Sequence, residues 1–145
     1  MGAEPYFYIV PYEEDIDAAL QKLREQEFQA GRYNPAVWSP FFSPGESPGA
    51  QHATIDEARE AAEADGTRSI LDLDHISDEP EICAASPAPE EELIRYFGTT
   101  KPTREMAEEN DSMILEEVDR GHGIYYLIYR DGKPEEIYFG GYSFD

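Results

Sequence analysis

Two runs of β-branched and aromatic residues, Gly123 to Arg130 and Glu135 to Phe139, flank Asp131-Gly132-Lys133-Pro134. Such runs favour a pleated surface, and an Asp-Gly turn between them is the strongest short-range signal for an antiparallel hairpin. The C-terminal third is therefore committed to a sheet, and the rest of the chain must supply further strands and helices to cover it.

Tyr6-Phe7-Tyr8-Ile9-Val10 predicts a strand with apolar side chains on both faces, ended by Pro11. Ile16, Ala19, Leu20 and Leu23 recur at helical spacing, and Gly31 is placed to cap an amphipathic helix over about 14–30. Glu13, Glu14, Asp15 and Asp17 suit the positive end of that helix dipole. Thr54 can cap a second helix carrying Ile55, Ala58, Ala61 and Ala62, which stops at Asp65-Gly66. Ser69 to Ile76 alternates like a strand. Glu90 to Phe97 reads as a short helix capped by Gly98, and Thr100 to Arg120 as a longer one that Asn110-Asp111 could split. The stretch through Pro80, Pro87 and Pro89 reads as irregular.

The expected order is thus β, α, α, β, α, α, β, β. Strands separated by helices can run parallel while the hairpin is antiparallel, so the chain predicts an α+β fold: a mixed sheet of about four strands with about four helices. The 145 residues fit one domain, 1–145, interrupted by a Pro/Gly/Ser-rich aromatic loop at 32–53. No internal repeat is evident.

The formal net charge is −21, from 32 acidic and 11 basic residues, and it divides as −5, −10 and −6 over residues 1–50, 51–100 and 101–145. With no acidic tail, and with 10 Tyr and 7 Phe, the charge belongs to the surface of an ordered domain and not to a disordered segment. It repels phosphate backbones and anionic headgroups, which argues against nucleic acid or a membrane as partner and leaves a basic protein as the fitting one. One cysteine precludes an intrachain disulfide. No run reaches the roughly 20 apolar residues of a spanning helix, and Met1 to Val10 lacks signal-peptide character, so a cytoplasmic location is expected. Nothing in the sequence fixes the oligomeric state.

Motifs that carry chemistry are scarce. Neither Ser43-Pro-Gly-Glu-Ser-Pro-Gly49 nor Gly121-His-Gly123 has the spacing of a phosphate or dinucleotide loop, and no G-x-S-x-G elbow occurs. Cys83, among Ile82, Ala84 and Ala85, has no basic neighbour in sequence and reads as a packed thiol. His52, His75 and His122 are widely separated. Asp72, Asp74 and His75 form the most metal-like local pattern, but a strand would send His75 to the opposite face, leaving the acids as a solvated strand face. No catalytic residue, metal or cofactor is assigned.

The aromatics offer the better binding candidates: Tyr33, Trp38, Phe41 and Phe42 in the long loop, and Tyr125 and Tyr129 on the hairpin. Large rings in such positions either fold back over the core or anchor a partner, and acids around them suit a basic surface. Three readings follow. The first is a small acidic protein-binding module, of the immunity or inhibitor type that neutralises a basic partner. The second is a soluble acidic domain with no dedicated electrostatic interface, for which the low Lys content, three against eight Arg, speaks. The third is a small enzyme using carboxylate, histidine or tyrosine side chains in a pocket.

Overall fold

A computed structural model describes residues 5–33, 49–62 and 65–144. In chain order these form β1 (Pro5–Pro11), α1 (Ile16–Ala30), α2 (Ile55–Ala62), β2 (His75–Ile76), β3 (Ala84–Pro87), α3 (Glu90–Phe97), α4 (Arg104–Asn110), β4 (Gly123–Arg130) and β5 (Lys133–Tyr142). Five strands make one mixed sheet in the order β1-β5-β4-β3-β2, antiparallel across β1, β5 and β4 and parallel across β4, β3 and β2. The fold is α+β.

The hairpin forms as its turn chemistry dictates. Asp131 and Gly132 alone connect β4 to β5, with φ of 52° and 78°, the two positive values of a type I′ turn. Pro134 lies inside β5, opposite Tyr129 and beside a register shift. The caps of α1 follow the sequence equally closely. The Asp15 carboxylate accepts from the Ala18 N–H at 3.0 Å, and Gly31 adopts the left-handed conformation with φ of 75°. Thr54 Oγ1 accepts from the Glu57 N–H at 3.1 Å at the start of α2.

Alternation along the strands divides the core into two. On one face, α1 and its neighbours bury Leu20, Leu23 and Phe28 against Ile137, Phe139, Tyr6 and the segment Ile70 to Leu73. On the other, α3, α4 and the turn that follows bury Leu93, Ala107, Ile114 and Leu115 against Ile124, Tyr126, Ile128 and Tyr138. Burying such side chains is worth about 1.5–3 kcal/mol each, so both faces are needed to hold the sheet.

Two expectations are corrected, and a third element breaks where Asn110-Asp111 allowed it to. Ser69 to Ile76 is not one strand: Ile70–Asp72 is a 3-10 turn whose Leu71 N–H is capped by Ser69 Oγ, and only His75–Ile76 pairs as a strand. The supposedly irregular stretch contains β3, which raises the strand number to five. Thr100 to Arg120 is split at Asp111 into α4 and a 3-10 segment, Met113–Glu117. Asp111 takes φ of 57°, and its backbone cannot continue the helix.

Candidate functional site

The face covered by α1 and α2 holds its charges closed. Asp72 is 2% exposed, not a solvated strand residue, because the 3-10 turn rolls it inward. Its Oδ1 accepts from the Thr67 N–H and hydroxyl, both at 2.8 Å, and its Oδ2 accepts from the Ser143 hydroxyl at 2.8 Å. This carboxylate ties the C-terminal end of the chain to residues 65–72. Asp74 pairs with Arg59 and lies 3.8 Å from Arg24 Nη2. Burial, and next the charge of Arg59, lower the pKa of Arg24. Glu27 receives Arg32 in a two-pronged contact, at 3.0 Å and 2.6 Å.

The face covered by α3 is different. A recess of about 360 Å³ opens where the end of β3 enters α3 and the start of β4 emerges. Its acids are Asp78, Glu92, Glu117 and Asp119; its walls include Pro80, Pro87, Pro89, Val118 and Ile124, and Ser86 and His122 complete the polar lining. Pro89 precedes α3 and leaves no side-chain cap there, so the first-turn acids Glu90, Glu91 and Glu92 face the helix end directly.

The electrostatics of the recess are strained by its own composition. Burial first, then a hydrogen bond to Glu117 and the charge of Glu117, raise the Glu92 carboxyl above its ordinary 4.5. Glu117 beside Glu92 disfavours a negative charge there, and a cation would relieve it. Arg95 pairs with Glu117 Oε1 from the rim, where its side chain is 65% exposed. Ser86 is 2% exposed and lines the recess, while the buried side-chain atoms without a hydrogen-bond partner among the described residues are the Tyr6 hydroxyl, Arg24 Nε and the Tyr126 hydroxyl. His122 Nδ1 donates to the Arg120 carbonyl at 3.0 Å, which leaves Nε2 as an acceptor in the neutral ring.

The residues singled out from sequence are scattered. Tyr33 is 7% exposed, stacked on Phe28, with its hydroxyl 2.8 Å from His52 Nδ1 and accepting from the Gln51 N–H at 3.0 Å. Trp38, Phe41 and Phe42 lie outside the described residues. Tyr125 is half-buried against Phe139, and Tyr129 is half-buried with Lys101 over its ring at 5.8 Å. The three histidines do not meet: His52 is with Tyr33, His75 with Glu81, and His122 in the recess. Cys83 has φ of 60° and lines a separate cleft of about 380 Å³ with Arg59, Asp72 and Phe144, so a basic residue distant in sequence shares its surroundings. Among the described residues no three His, Cys, Asp or Glu side chains are grouped to hold a metal, and no helix is long and apolar enough to cross a membrane.

Sequence reasoning passed over the recess because no short motif spells it. Its lining comes from three separate stretches, 78–92, 117–119 and 122–124, brought together by the parallel pairing of β3 with β4. The one signal available was Glu90-Glu91-Glu92 directly after a proline-rich connection. No family model matches the chain, and comparisons with curated proteins and with solved structures likewise find no match.

Proposed function

We propose that this protein is an acidic protein-binding module for a basic protein partner, of the kind that inhibits or neutralises that partner, and that the partner's cationic side chain enters the recess beside Glu92 and Glu117. The observation that supports this reading is the gathering of Asp78, Glu92, Glu117 and Asp119 on one recess, where burial and Glu117 raise the Glu92 carboxyl: a surface that holds like charges together gains most from an incoming cation. The net charge of −21 supports it by drawing a basic protein in at long range, an effect that salt weakens over a Debye length of about 8 Å.

The test is capture from cell extract on the immobilised protein, at low and high salt, comparing the wild type with the Glu92→Gln/Glu117→Gln double variant. A basic protein held at low salt by the wild type and lost from the variant is the expected result. Equal capture by both forms would remove the recess as the contact.

A further inference from the structure

We infer that the outer edge of β1 is a self-association surface, on which a second copy of this chain lays its own β1 antiparallel and extends the sheet across a two-fold axis at Tyr8. β1 ends the sheet: it pairs with β5 on one side, and among the described residues no strand pairs with the other. The groups that stand on that side follow from the register. The Tyr12 N–H donates to the Glu135 carbonyl at 2.9 Å, so the main-chain groups of Val10, Tyr8 and Tyr6 also turn towards β5, while those of Pro5, Phe7, Ile9 and Pro11 turn outward. Proline has no N–H, so the donors of this edge are those of Phe7 and Ile9, and neither is hydrogen-bonded among the described residues.

A second copy is the occupant that fits this edge. With the axis at Tyr8, Phe7 lies opposite Ile9 of the second copy, so every free N–H of either strand meets a carbonyl of the other. Pro5 then lies opposite Pro11 of the second copy, where neither strand has an N–H to satisfy. Charge selects in the same direction. Pro5 to Pro11 contains no charged residue in a chain with 32 acidic and 11 basic ones, so a basic protein finds no acid on the strand, while two copies of it meet without like charges across the seam. The edge also lacks the lysine that commonly guards an exposed strand. Phe7 is 37% exposed, stacked on Tyr138 at 5.6 Å, and shares its sheet face with Ile9, so the pairing covers its ring with Ile9 of the second copy. The opposite end of the sheet is the short strand His75–Ile76, so association closes at a dimer and does not run on as a fibre.

This surface is separate from the recess, and salt acts on it with the opposite sign. Each copy carries −21, so salt, which weakens capture of a basic protein, should strengthen the pairing of two copies. The test is sedimentation velocity with amide hydrogen exchange read by NMR, on the whole protein at low and high salt, from about 10 μM to about 1 mM to reach the weak end of specific association. In dilute solution Phe7 and Ile9 should exchange quickly while Tyr6, Tyr8 and Val10, bonded to β5, are protected. At high concentration a dimer should form and slow the exchange of Phe7 and Ile9 by about tenfold or more. Phe7→Glu, which places like charges in the seam, should raise the concentration needed by about tenfold or more and leave Tyr6, Tyr8 and Val10 protected. A protein monomeric at every concentration, a dimer in which Phe7 and Ile9 still exchange quickly, or a dimer indifferent to Phe7→Glu would each overturn the proposal; the wild-type exchange pattern decides it even where the variant fails to fold.

Discussion

The two faces of the sheet carry the same kind of side chain and treat it in opposite ways. Under α1 and α2, the two buried acids meet donors, Asp72 from Thr67 and Ser143 and Glu27 from Arg32, and half-exposed Asp74 pairs with Arg59. Beside α3, Glu92 has a second carboxyl, Glu117, as neighbour, which raises its proton affinity, and only Arg95 at the rim answers Glu117. A satisfied polar cluster rigidifies a fold, while an unsatisfied one costs stability that a ligand can return. The contrast lies in what each acid has beside it: donors on one face, and on the other a second carboxyl.

The largest test of this contrast is on the closed face. Asp72→Ala strands the Thr67 N–H, the Thr67 hydroxyl and the Ser143 hydroxyl in a buried site. It should lower unfolding stability by about 3 kcal/mol or more in urea titrations, since each buried unsatisfied donor costs about 1–3 kcal/mol. A loss below about 1 kcal/mol would mean that water reaches those donors and that the face is not closed.

Gly123 sits at the seam between the faces, opposite Gly141 at the start of the hairpin pairing. A Cβ there would stand 2.4 Å from Leu73 Cδ1 and 2.9 Å from the Gly140 carbonyl oxygen. Gly123→Ala should therefore cost about 1–3 kcal/mol in thermal unfolding, because fully buried Leu73 and a strand backbone have little room to give. An unchanged Tm would show that the two layers are less tightly joined at this point.

The smallest effect belongs to the open face, and its sign differs. The folded chain holds the Glu92 proton more tightly than the unfolded chain does, because burial, Glu117 and, further off, Glu91 outweigh the opposing charge of Arg95. The stabilising contribution is complete below the ordinary carboxyl value of 4.5 and is lost as pH rises through the raised one. Glu92→Gln should flatten that part of the stability profile and leave stability at neutral pH unchanged or higher by less than about 1 kcal/mol, as suits a partly solvated group. Melts recorded at several pH values check this; a variant that is destabilised at neutral pH would place Glu92 with the closed acids.

Some of these features could be read directly from residue order. The hairpin, the caps of α1 and the end of α3 at Gly98 depend on contacts within a few residues, such as Asp15 with Ala18. Elements whose identity depends on distant partners were misread. Ile70, Leu71 and Leu73 with Asp72 and Asp74 mimic strand alternation, yet Asp72 turns inward because Thr67 and Ser143 receive it there. Ala84 to Pro87 has small side chains and no strong strand preference; it becomes β3 because β2 and β4 offer their edges on both sides.

The sequence by itself determined an α+β chain with a C-terminal hairpin, helices that cap themselves, and a charge that repels other polyanions. Those properties rest on local dihedral preferences, hydrophobic periodicity and net charge, all of which are sums over near neighbours. Only the tertiary structure decided which acids are neutralised and which are left facing one another. Asp72 and Glu92 are both acids beside apolar residues in sequence, and what separates them is the company that the parallel pairing of β3 with β4, and the return of the chain to Ser143, bring to each. The energy of a charge depends on what surrounds it within a few ångströms, and in a folded chain most of those neighbours are remote in sequence.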